Sequence, residues 1–175
     1  MIKDEIIKEL SERHIFFVNY ILSLSYKEFM FSFEGHWAAG QQMDHIYRSI
    51  TLLPLAFKIP LFITGPILGT VKRPTMCYEE LVEQYQSRLS KGAQATRMYL
   101  PRMVPYSKRM RLAEKIIRKV SKINAAIDLL PEKELDQALL PHPILGKITL
   151  REMLYFTMYH VDHHCAVAKV YLEKV

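Results

Sequence analysis

Apolar side chains recur every three or four residues along four long stretches of this chain, and glycine or proline separates each stretch from the next. That period places one apolar stripe along a helix and leaves the opposite face polar. A chain with four such stripes and weak strand signals is confined to helices packed on helices. The first helix is expected from about Lys3 to Met30 and the second from about His36 to Phe57, after Gly35. A third spans about Ser107 to Leu130. The last starts where Thr149-Leu-Arg-Glu152 forms a capping box and runs to about Glu173. A shorter helix, Tyr78 to about Arg88, sits in the long connections. The expected fold is all-α, most simply a four-helix bundle.

The longest apolar stretch, Leu52 to Val71, is interrupted by Pro54, Lys58, Pro60, Gly65, Pro66 and Gly69. A membrane-spanning helix needs about 20 mostly apolar residues, so this density of breakers argues against one. The stretch is expected instead to be a buried, irregular connection plugging one end of the helical core. The N-terminus is charged and amphipathic, unlike a signal peptide. At 175 residues the chain suits one domain, 1–175. Cys77 and Cys165 cannot build a disulfide framework or a four-sulfur metal site, which fits a reducing cytoplasm.

The net charge of +6 first suggests nucleic acid, but the excess is local. From Arg97 to Lys122 stand nine of the 24 basic residues and one of the 18 acids, leaving 15 bases against 17 acids elsewhere. The stretch reads as a solvated helix face and loop, or as recognition of a small anion. No aromatic-interleaved or zinc-finger pattern accompanies it.

Seven histidines remain to be placed. At about 100° per residue, with His160 set to zero, His164 lies near 40° and Met153, Thr157, Val161 and Ala168 between about 20° and 100°. His160 and His164 therefore point inward, one turn apart. His163, near 300°, falls beside Glu152 and Lys174 on the polar face. On the second helix, Ala38, Ser49, Leu53 and Ala56 cluster beside His45, which stands at the edge of the buried stripe with small neighbours that leave room for a bound group. His36 reads as surface, His14 as unpaired with the others, and His142 as turn chemistry in a Pro-His-Pro loop. Two core histidines, each satisfied separately, are the competing reading of the 160/164 pair. Three inward imidazoles would instead form an open site, leaving positions free for water or substrate. Zincin, di-iron, nucleophile-elbow and phosphate-loop patterns are absent, Asp162 projects away, and Cys165 reads as packing. Gln41 and Gln42, one turn before His45, could orient a ligand.

Three blocks carry a family resemblance: His36-Trp37-Ala-Ala-Gly-Gln41-Gln42-Met-Asp-His45-Ile46, His142-Pro-Ile-Leu-Gly146-Lys-Ile-Thr149-Leu-Arg-Glu152, and Tyr159-His160-Val-Asp-His163-His164. In type and order they resemble the DinB/YfiT-like superfamily across nearly the whole chain. The resemblance implies a four-helix bundle of up-down-down-up connectivity and a divalent-metal site on His45, His160 and His164. It also implies a homodimer and thiol-dependent transferase or isomerase chemistry with a small-molecule substrate. Zinc or nickel is the first expectation for an imidazole site, with iron, copper or manganese behind. A low-molecular-weight thiol is the expected co-substrate, its carboxylates meeting the basic residues near Arg97–Arg111. The expected function is thus a metal-dependent S-transferase or related enzyme such as a hydrolase. The alternative is a non-catalytic module that binds metal or a small ligand at the same place. No nucleic-acid or membrane partner is expected.

Overall fold

The computed structural model describes residues 1–69, 71 and 73–174; Thr70 and Lys72 of the long connection lie outside it. Its helices follow the expected stripes, with shorter pieces where local capping competes with periodicity. α1 spans Lys3–Ser23 and α2 Tyr26–Met30, in place of one helix to Met30. Leu24 and Ser25 turn extended; Ser25 Oγ accepts the Glu28 N–H while the Glu28 carboxylate accepts the Ser25 N–H at 2.8 Å. That reciprocal cap satisfies the donors of a new helix start.

The second expected helix is shortened at both ends. α3 covers Ala39–Ile50, leaving His36 and Trp37 in the preceding turn, and the four-residue α4, Leu53–Ala56, restarts with Pro54 in its first turn. A proline there lacks the N–H needed to continue the ladder from α3. Gly40, within α3, is a close approach: a Cβ would lie 2.7 Å from the Phe29 ring.

The Leu52–Val71 connection enters the core only at its start, through the buried Leu53 and Phe57. Beyond them it contains α5, Leu61–Leu68, at the surface, and Leu55, Phe62 and Ile67 are between 67% and 77% exposed. α5 is apolar on all sides and so presents no single stripe to bury; Thr64 is its one buried residue. Leu140, Leu145 and Ile148 also enter the core, from a hairpin where the prolines and Gly146 predict only a loop. Its strands, β1 (Leu139–His142) and β2 (Gly146–Thr149), are antiparallel with His142 opposite Gly146. Four-residue strands are too short for alternation to announce them.

α6 spans Tyr78–Ser90, α7 Arg109–Asp128, α8 Glu132–Gln137 and α9 Leu150–Leu172, with three-residue 3-10 turns at Arg97–Tyr99 and Tyr106–Lys108. α1 packs on α7 and α9, and α3 packs on the same two helices. Lys3 Nζ reaches the carbonyls of Asp128 and Leu130, and Asn124 donates to Ile7 O and Ser11 Oγ, so α1 and α7 run antiparallel. Met1 against Tyr155 and Arg13 against Asp162 make α1 and α9 parallel. Lys119 donates to Thr51 O and Lys115 lies over Tyr47, so α3 and α7 are parallel as well. Between them lies a core that includes Phe17, Met43, Ile46, Ile116 and Ile123.

From Leu150 to Met158, α9 is buried on every side, because α6, α8 and the hairpin cover faces that two neighbouring helices alone would leave open. Glu152 is therefore fully buried, not on a polar face. Its carboxylate accepts from the Arg73 guanidinium, the Met76 N–H and the Thr149 N–H. Burial alone raises a carboxyl's pKa; here Arg73 and the N–H donors outweigh it and hold Glu152 below the usual range. Among the described residues no single helix is long and apolar enough to cross a membrane.

Candidate metal centre

α3 and α9 meet antiparallel, and this brings His45 face to face with His160 and His164. All three are buried, and one nitrogen of each lies within 4.8 Å of the others. His160 Nε2 stands 3.1 Å from His45 Nε2 and 3.0 Å from His164 Nε2.

The outer nitrogens are held by acceptors. His45 Nδ1 donates to the Tyr99 carbonyl at 2.7 Å, and His164 Nδ1 donates to Gln42 Oε1 at 2.5 Å. The Gln42 amide is oriented in turn by donating to Trp37 O at 3.2 Å. The Tyr99 carbonyl is positioned from α3 itself: Asp44 pairs with Arg48 and also accepts the Arg102 N–H at 2.8 Å, tying the 97–102 segment to the helix.

This arrangement sets the tautomers. A carbonyl oxygen only accepts, so Nδ1 carries the proton in His45 and His164, and each Nε2 presents a lone pair inward. A single proton on His160 Nε2 serves one of those lone pairs at a time. With that proton on Nδ1 instead, three lone pairs converge. Burial, the largest cause, holds His160 and His164 well below the usual imidazole pKa, and the neighbouring rings push the same way. Burial also lowers His45, against the opposing bond to Tyr99. Three neutral imidazoles with lone pairs meeting in a dry pocket are what a divalent cation requires of its ligands.

Of the two glutamines, Gln42 reaches the site and Gln41 does not: Gln41 Oε1 accepts the Ala38 N–H and caps α3. His36 is exposed against Tyr171, Asp162 pairs with Arg13, and Cys165 is buried in the core, all as expected. His14 is fully buried in α1, away from the cluster. His163 is half-buried and not turned wholly to solvent, its ring 5.1 Å from that of His164.

A cavity of about 420 Å³ opens beside the three rings, lined by Trp37, Leu53, Tyr85, Met98, His142 and Phe156 among others. Trp37 lies 4.9 Å from the His45 ring and Phe156 stacks on His160 at 4.7 Å. None of the basic residues between Arg97 and Lys122 lines it. Arg109, for example, lies over Tyr106, 3.7 Å from the ring centroid, and donates to its carbonyl. The Tyr99 carbonyl and His142 are the site features that periodicity could not reveal, since a three-residue turn and a four-residue strand are too short to show a period. The one tryptophan, next to His36, was the only advance signal of the aromatic wall. Comparison with known proteins finds no matching family model, no matching curated protein and no matching solved structure.

Proposed function

We propose that this chain binds a divalent cation through His45, His160 and His164 and is a metal-dependent enzyme of the thiol S-transferase type, acting on a small molecule held in the adjoining cavity. The observation that carries the reading is the convergence of three buried Nε2 atoms, two of them fixed as lone pairs by Tyr99 O and Gln42. Separately satisfied core histidines would not meet nitrogen to nitrogen, because lone pairs facing one another in a dry interior are costly. Imidazole donors favour zinc or nickel, with iron, copper or manganese as further candidates. A divalent ion supplies such a site with a bound water or thiol of lowered pKa, a nucleophile at neutral pH.

The chain's own contribution is orientation and exclusion. Tyr99 O and Gln42 hold two rings in one tautomer, Phe156 stacks on the third, and Trp37 lies against His45 and His164. Three ligands and an adjoining cavity leave a face open to substrate, the pattern of catalytic sites more than of structural ones. The helix directions support the up-down-down-up bundle that the DinB/YfiT-like resemblance implies: α1 parallel to α9, α3 parallel to α7, and the two pairs opposed.

Metal analysis of protein purified without an affinity tag tests the reading, with close to one ion per chain expected after equilibration with Zn²⁺ or Ni²⁺. Stoichiometry near zero in both ions refutes it. His160→Ala is expected to abolish most binding while His163→Ala leaves it nearly intact; equal losses would overturn the ligand assignment. Assays with an electrophile and several low-molecular-weight thiols then separate a transferase from a module that only binds.

A further inference from the structure

The cavity beside the three histidines has an unusual chemical balance. It is in the size range of small-ligand sites, yet among the described residues no lysine, arginine, aspartate or glutamate lines it. Two of its hydroxyls are already committed. Ser49 donates to Ile46 O and Thr157 to Met153 O, so neither hydroxyl proton is free for a ligand. Apart from its histidines and the polar edges of Trp37, Tyr85 and Tyr99, the remaining wall is aliphatic and aromatic.

His142 differs from these. The hairpin turn points two backbone donors at one side of its ring, the N–H groups of Ile144 and Leu145, at 3.2 and 3.0 Å from Nδ1. A nitrogen that accepts from two N–H groups carries no proton, so the proton of the neutral ring sits on Nε2. That Nε2–H has no partner among the described residues and is not sealed in protein, in a side chain that lines the cavity. Phe156 alone separates the His142 ring from His160, with centroids at 4.2 and 4.7 Å. Burial keeps the His142 ring neutral by pushing its pKa down to about 4. Tyr85, edge-on to both His142 and His160, adds a second donor: its hydroxyl also has no partner among the described residues, and burial pushes its pKa up to about 12.

We infer that the cavity selects an uncharged, mainly apolar or aromatic molecule carrying a hydrogen-bond acceptor such as a carbonyl oxygen, and that His142, through a fixed Nε2–H, is the residue that reads the acceptor. With no ion on the three histidines, an ionised ligand finds no countercharge among the described lining residues and loses its hydration on entry, a penalty that apolar contacts do not return. A neutral carbonyl loses little and gains a donor whose direction the turn has set in advance. That such a molecule is a substrate rests on the cation-binding reading above; that the cavity binds it does not.

Three probes of one shape test this: 2-indanone, indane-2-carboxylate and indane, titrated into the full chain before and after chelator treatment. Binding is followed by calorimetry and by fluorescence of Trp37, the one tryptophan, which lines the cavity. The ketone is expected to bind the chelator-treated protein at least about tenfold more tightly than the carboxylate. His142→Asn keeps an acceptor for the turn amides and loses the Nε2–H. It is expected to weaken the ketone about five- to tenfold, as one hydrogen bond warrants, with indane unchanged. A carboxylate that binds as tightly as the ketone overturns the inference. So does a substitution that weakens ketone and indane alike, or neither. If the variant does not fold, the ketone-to-carboxylate ranking of the natural chain decides alone. Loss of ion binding with the ketone preference intact refutes the proposed function only; ion binding without that preference refutes this inference only.

Discussion

His14 offers a sharp test of how burial controls the histidines of this protein. Its ring is fully enclosed in α1; Nδ1 donates to Leu10 O at 2.7 Å, and Nε2 has no partner among the described residues. Burial pushes its pKa down from 6.5 to about 4, against a smaller upward pull from the Leu10 bond. Above about pH 6.5 neither folded nor unfolded chain protonates this ring, and its contribution to stability is complete. As pH falls from 6.5 towards 4 the unfolded chain takes up a proton that the folded chain refuses, so stability drops. Below about pH 4 both forms are protonated and the loss levels off. A difference of about 2.5 pKa units corresponds to about 3 kcal/mol. His14→Leu removes both the titration and the unpaired lone pair. At pH 7.5 the variant is expected to be as stable as the natural chain or up to about 2 kcal/mol more so, since an unsatisfied buried acceptor disappears. Between pH 7.5 and 4.5 the natural chain should lose about 2–3 kcal/mol more than the variant. Urea unfolding followed by circular dichroism, with chelator present, measures both curves, and the other histidines cancel in the difference. Parallel pH dependences would show that His14 is solvated or protonated in the folded chain and would refute the reasoning.

Glu152→Gln strips the charge from a buried carboxylate that holds the partly exposed Arg73, and it should lower unfolding free energy by about 1–2 kcal/mol in urea melts at pH 7. Gln42→Leu leaves His164 Nδ1 without its acceptor and should weaken Zn²⁺ binding by roughly 10–100-fold in competition titrations. Gly40→Ala places a methyl group 2.7 Å from the Phe29 ring, within a packed core. It should cost about 1–3 kcal/mol and, by tilting α3, also weaken ion binding. An alanine variant as stable as the natural chain would mean that Phe29 moves aside freely.

Much of the site was legible along the chain because a helix converts spacing into direction. His160 and His164 are one turn apart on a regular helix, so their common inward face needed only the 3.6-residue period, and the same arithmetic put His45 on the edge of a buried stripe. Where that arithmetic failed, the cause was a neighbour that is distant in sequence. Glu152 falls on the face opposite the stripe, yet α6, α8 and the hairpin cover that face, and Arg73 supplies the countercharge from 79 residues away. Gln41 and Gln42 look equivalent in the sequence. One caps its own helix and the other reaches across to His164, a distinction made by the rotation of α3 against α9.

By itself the sequence determined the helical class, the start of α9 at its Thr149 cap, and the inward faces of His45, His160 and His164, though not the burial of His14 and His142. All of these follow from local capping and periodicity, which act within a few residues. Tertiary structure alone decided that three Nε2 atoms meet, two of them as lone pairs, because the acceptors that set those tautomers, Tyr99 O and Gln42 Oε1, lie on other segments. It also decided that the basic stretch stays out of the cavity and that His142, read as turn chemistry, shows its one free N–H to it. Charge and hydrogen-bond direction depend on what lies within a few ångströms in space, and only the packed chain specifies that.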